Sequence, residues 1–328
     1  MYKCFLLICI SVFFIFACNE SETSNHPLFQ PPYDKITDSI NNAPNDADLY
    51  FRRGSLLYSN NQNVYAEKDF RKAWELQPKE EYAVGLTAIL KQKHVDTAIL
   101  FLNDALKKLP NNVFLQIALA RGYQQKKQPD KSIEICNQII NQYPNSIDAL
   151  MLKAELLKQQ NQNAEAIRAL EQAYLYAPGD VELVHTLAFD YAESKNPKTL
   201  VISDSLINAD TEKSHAEPYY FKGVYFSNIG NNAEAIRQFD EAISHNYNFM
   251  NAYVNKGIIY YEQKKYSDAL KTLSLATTVS PDEEDPYYWI GKTYEAMGKK
   301  EEARNNYQSA LNLNKEMVEA KAGLDRVK

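Results

Sequence analysis

Residues Ala216 to Phe249, AEPYYFKGVYFSNIGNNAEAIRQFDEAISHNYNF, decide the fold, because the chain repeats their pattern at once. Gly223, Gly257 and Gly291 lie 34 residues apart, as do Ala235, Ala269 and Ala303, and Ala242, Ala276 and Ala310. A fixed period of this kind marks a repeat architecture. Each copy reads as two short helices. The first carries aromatics around a glycine (Tyr219, Gly223, Tyr225), and the second spaces Ala235, Phe239 and Ala242 so that they share one face. Small residues at Gly223 and Ala235 let the helices approach, and Phe239 fills the space beside them. One such hairpin cannot bury its apolar face alone; stacked neighbours can.

At these residues the sequence resembles the tetratricopeptide repeat, which implies an all-α fold, a right-handed α-solenoid of about eight helix hairpins. Numbered by that pattern, units begin at Ala47, Lys79, Val113, Ile147, Val181, Ala216, Met250 and Glu284. Proline recurs as Pro78, Pro110, Pro144, Pro178 and Pro281, where it ends a second helix. Units one to four span 47–180 and units six to eight span 216–317, with a capping helix expected at 33–46 and another at 318–328. The fifth unit, 181–215, is 35 residues long, with Leu200 and Ile207 at positions for small residues and Asn196 and Pro197 between its helices. An altered packing angle is expected there, dividing the array into two halves.

The N-terminus reads differently. Residues 1–17 hold one Lys and an apolar run ending before Cys18 and the polar NESETSN, and the 13 residues from Cys4 to Phe16 are too short to span a bilayer comfortably. This is the pattern of a secretory leader. Ile15 to Cys18 resembles a bacterial lipobox of the looser Bacteroidetes type, which implies lipidation of Cys18. The sequence departs from that pattern at Phe16, where a small residue is usual. Residues 18–32 then read as the lipidated cysteine and a flexible tether; fourteen residues of coil reach about 20 Å.

Composition narrows the function. A formal charge of −6, from 36 basic and 42 acidic residues, does not supply the basic stripe that nucleic acid demands. Two of the four cysteines fall in the leader and a third, Cys18, follows it directly, which leaves Cys136 as a small buried hydrophobe. Gly291 to Thr293 imitates the end of a phosphate-binding loop but lacks its earlier glycine, and the five histidines do not pair at metal-ligand spacing. No enzyme, no cofactor and no metal are therefore expected, nor a small-molecule substrate.

A binding face is expected instead. In tetratricopeptide proteins the first helices line the concave side and bind peptides, and the resemblance places His185, Phe189, Tyr220, Val224, Val254, Asn255, Ile258, Tyr261, Tyr288 and Lys292 there. An aromatic groove of this kind marks a protein or peptide partner. The residues of the carboxylate clamp found in chaperone-binding relatives do not occur on three successive units, so capture of an acidic C-terminus is not expected. The sequence thus reads as a scaffold anchored by lipid to the outer membrane on its periplasmic side, as in a secretion or assembly complex. The alternative is an accessory lipoprotein that binds surface glycans or nutrients, with the repeats on the cell surface.

Overall fold

The computed structural model describes residues 26–212 and 214–328, in which there are eighteen α-helices, one short 3-10 turn and no strand. The expected leader, Cys18 and residues 19–25 lie outside the described residues. The helices follow one another as antiparallel pairs, and the chain divides into two compact units inside one helix, between Ile135 and Cys136.

The first unit opens with the turn Pro27–Phe29 and α1 (Asp34–Asn42), then runs through α2 (Ala47–Ser59), α3 (Asn63–Leu76), α4 (Glu80–Lys93), α5 (Val95–Lys108) and α6 (Val113–Gln125). Part of the stretch read as tether is therefore structured: Leu28 accepts a hydrogen bond from Thr37 Oγ1, and the His26 ring meets Tyr65 edge-on at 5.4 Å. That hydroxyl of Thr37 also accepts from Arg53, whose guanidinium bonds both oxygens of Asp69 at 2.7 and 2.8 Å, all three side chains being buried. A desolvated ion pair is favourable only when its hydrogen bonds are complete, as here. It ties α1 to α2 and α3. Phe70 fills the space that Gly54 and Gly85 leave, since a Cβ on either would fall within about 3 Å of its ring.

The second unit begins within α7 (Pro129–Gln142) and continues as α8 (Ile147–Gln159), α9 (Asn163–Tyr176), α10 (Val181–Glu193), α11 (Lys198–Ala209), α12 (Glu217–Asn228), α13 (Asn232–His245), α14 (Met250–Glu262), α15 (Tyr266–Val279), α16 (Glu284–Ala296), α17 (Lys300–Leu313) and α18 (Val318–Arg326). The 34-residue glycines explain themselves here. A Cβ on Gly223 would lie 2.5 Å from the Phe239 ring, on Gly257 2.6 Å from Leu273 and on Gly291 2.8 Å from Tyr307. Each is the close approach of a first helix to the large residue of its second. The hairpin turns repeat too: φ is positive at Lys127, Asn161 and Lys195, and again at Gly230, Lys264 and Gly298. Within each trio the spacing is 34 residues; between Lys195 and Gly230 it is 35.

That extra residue falls in the fifth hairpin, and the structure revises the reading of it. The turn at Lys195 keeps its place, but α11 buries Thr199 and Ser203 rather than presenting Leu200 and Ile207 to α10. Thr199 donates to the carbonyl of Ala188, as Ser132 donates to Ala120 two hairpins earlier. The face of α11 has thus slipped one residue toward its N-terminus. Ser203 then stands near the place Phe239 holds in the next hairpin, and its hydroxyl is buried without a hydrogen-bond partner. With so little to fill the gap, α10 packs more extensively on the next first helix, α12, than on its own partner α11. A cleft of about 700 Å³ opens beside Leu175, Leu187, Tyr191 and Val201.

Candidate binding face of the second unit

All ten residues expected on the binding face lie in the second unit, but they fall into two groups with different surroundings. The first gathers where α10 meets α12. Phe189 and Tyr220 stack with their rings 9° from parallel at 6.2 Å, and Tyr220 also faces Phe239 at 5.8 Å and Phe249 at 5.2 Å. Asn255 donates to the Tyr220 hydroxyl at 3.2 Å and to the Asn251 carbonyl. Burial, with the Glu193 charge second, pushes the Tyr220 phenol up to about 12. Val224 and Val254, at 6% and 7% exposure, belong to the packed interior and offer no binding surface. His185 meets the Phe221 ring at 5.6 Å, and its Nε2 is buried without a partner. Burial holds its imidazole below the usual range, opposed by the Glu217 charge and assisted by His215.

The second group surrounds Lys292. Its ammonium lies 4.2 Å from the centre of Trp289, 5.3 Å from Tyr261 and 5.8 Å from Tyr288. Tyr261 and Trp289 meet edge-on at 5.7 Å, as Tyr288 and Trp289 do at 5.5 Å. Helix spacing brings this about: Tyr288, Trp289 and Lys292 share a face of α16, and Tyr261 reaches them from the end of α14. These side chains are half-buried, as is Ile258, which packs with Trp289 against the core of Tyr253, Val254 and Ala276. Burial raises the Tyr261 and Tyr288 phenols, so both remain protonated donors at neutral pH. Attraction of a cation by three ring faces is worth about 0.5–2 kcal/mol and holds the Lys292 stem in place. The result is an ordered apolar surface with one positive head and two hydroxyls.

Trp289 is the residue that sequence reading missed, although it adjoins Tyr288 on a first helix. Among the described residues no group of three His, Cys, Asp or Glu could hold a metal ion, and no helix is long and apolar enough to cross a membrane.

Comparison with known proteins bears on the fold. The family model described as anaphase-promoting complex, cyclosome, subunit 3 matches residues 91–173, a TPR repeat model matches 257–298, and a tetratricopeptide repeat model matches 285–317. Heat shock protein STI1 of Saccharomyces cerevisiae is 35% identical over 75 residues, which are 23% of this chain and only 13% of that protein. In fold, the chain is similar to a tetratricopeptide repeat protein from Parabacteroides merdae ATCC 43184, with a TM-score of 0.60 and 15% identity over 86% of this chain and 98% of that one. It is also similar to a chain of the APC/C hetero-tetramer Cut9-Hcn1, with a TM-score of 0.51 and 16% identity, covering 90% of this chain and 59% of that one. Residues 257–317 thus match tetratricopeptide repeat models, and the chain has the all-α solenoid fold of the repeat structures it resembles.

Proposed function

We propose that this protein is a lipid-anchored scaffold of the bacterial cell envelope, held to the periplasmic side of the outer membrane through Cys18 as part of a secretion or assembly complex, and that it captures a polypeptide on the first helices of its second unit. The observation that carries the binding reading is the half-exposed set Tyr261, Tyr288, Trp289 and Lys292, whose rings are fixed by one another and by the lysine. Rigid aromatics give contact area at little entropic cost, and the phenol and ammonium heads can bond a peptide backbone or an acidic side chain. Phe189, Asn255 and Ile258 extend this surface toward α10. The anchoring reading rests on the apolar leader ending at Cys18.

Mass spectrometry of the mature N-terminus tests the anchor: diacylglycerol on Cys18 is expected, and an unmodified residue other than Cys18 contradicts it. For the binding face, Trp289→Ala with Tyr261→Ala is expected to abolish co-purification of a defined partner from detergent-solubilised envelopes while the thermal midpoint moves by only a few degrees, about 1–2 kcal/mol for a protein of this size. Unchanged co-purification contradicts it.

A further inference from the structure

Next to Phe189, helices α8, α9 and α10 enclose a cavity of about 240 Å³, lined among others by Lys158, Ile167, Phe189, Asp190 and Glu193. It is smaller than the roughly 300 Å³ at which sites for whole small molecules begin, and suits a single side chain. Asp190 is only 6% exposed, and its two oxygens are treated unequally. Oδ1 accepts a hydrogen bond from Lys158 Nζ; Oδ2 is buried with no partner. A buried carboxylate left half-satisfied is unfavourable, and burial accordingly pushes this carboxyl above the usual range in spite of the lysine beside it.

Lys158 cannot repair this. Its ammonium is a point donor engaged at one oxygen, and its side chain is 39% exposed, so it stands at the rim and is free to leave. A guanidinium is different: its fork supplies two parallel N–H donors, one for each carboxylate oxygen. The same wall offers Phe189 to the flat face of such a cation, and Glu193 adds a second negative charge. With Lys158 turned outward the lining carries Asp190 and Glu193 unopposed, on a chain whose formal charge is −6.

We propose that this cavity receives an arginine side chain of the bound polypeptide, which displaces Lys158 and bonds both oxygens of Asp190. The inference rests on the reading that the first helices of this unit bind a polypeptide, and it specifies that partner's chemistry: an arginine placed next to the apolar residues that Phe189 and its neighbours contact.

The test uses a capped hexapeptide of Gly, Ser and Leu with one central arginine, and the same peptide with citrulline or lysine instead, titrated into the full-length protein and followed by NMR shifts of the Glu193 and Ser194 amides. The arginine peptide is expected to shift both amides saturably, with the citrulline peptide about tenfold weaker or silent and the lysine peptide intermediate. Asp190→Asn weakens binding about tenfold and Glu193→Gln a few-fold. Lys158→Ala tightens it, because no ammonium then has to be displaced. This opposite sign separates the site from a merely structural ion pair. Citrulline or lysine binding as well as arginine, or Lys158→Ala weakening it as Asp190→Asn does, overturns the proposal; if Asp190→Asn fails to fold, the Lys158→Ala and Glu193→Gln results decide alone. Partner capture lost with Trp289→Ala but indifferent to Asp190 and Glu193 overturns this subsite and leaves the wider binding face standing.

Discussion

Two clusters of aromatics on the same set of first helices meet different fates. Around Tyr220 the rings close on one another: Phe189 stacks on it, Phe239 and Phe249 press from the neighbouring elements, and Asn255 satisfies its hydroxyl. Around Trp289 the rings of Tyr261 and Tyr288 stand about a lysine and keep part of their surface in water. The difference starts in the fifth hairpin. Because α11 offers Ser203 where a large ring would stand, α10 turns to α12 and draws the first cluster into its packing. No such deficit exists near α16, where Tyr307 fills the space beside Gly291. The clusters thus differ in the hairpin that precedes each: α11 supplies only Ser203 before the first, whereas α15 supplies Leu273, packed on Gly257, before the second.

Paired truncations should separate the clusters most widely. Tyr220→Ala is expected to cost about 2 kcal/mol in urea unfolding, because its half-buried ring packs on Phe189, Phe239 and Phe249, while Tyr261→Ala costs about 1 kcal/mol. Equal losses would erase the distinction drawn between them. A smaller effect is expected from pH. His185 in the first cluster resists protonation, so below its ordinary value of 6.5 the unfolded chain takes up a proton that the folded one refuses; stability is full above that value and is lost as pH falls toward the depressed folded value. The thermal midpoint of His185→Gln should therefore drop less than that of the wild type between pH 7.5 and 5.5. Parallel curves would show that the imidazole is not buried as described.

Smaller again is the gap behind α11. Ser203→Ala removes a buried hydroxyl that has no partner and should stabilise the fold by up to about 1 kcal/mol in the same urea assay, whereas an equal loss would mean that the hydroxyl is bonded. The smallest change concerns the turns. Lys264 holds a left-handed conformation that glycine holds at Gly230 and Gly298, and Lys264→Gly should be stabilising by about 0.5 kcal/mol once the greater freedom of the unfolded glycine is subtracted.

How far these features could be read in advance follows from their range along the chain. Gly223 against Phe239, and its counterparts 34 residues on, is a contact within one hairpin, so spacing alone reveals it. The slip of α11 was hidden because Leu200 occupies the small-residue position by count, and only tertiary packing selects Thr199 and Ser203 instead. Tyr220 and Tyr288 occupy equivalent positions and cannot be told apart without their surroundings. Val224 and Val254 looked like groove residues for the same reason, yet both are buried. Asp190 carried no signal at all: an acid on a first helix reads as solvated until α8 and α9 cover it. The docking of His26 and Leu28 escaped notice because a proline-rich stretch has no apolar period to betray a fixed place.

The central claim is that the surface around Trp289 seizes a polypeptide. Its most direct test is a photo-reactive amino acid placed at Tyr261, and for contrast at Tyr176 on a second helix, irradiated in intact envelopes. A single defined adduct from position 261 that disappears with Trp289→Ala, and none from position 176, is the result expected. Adducts of equal yield from both positions, or an adduct at 261 that Trp289→Ala leaves untouched, would contradict it.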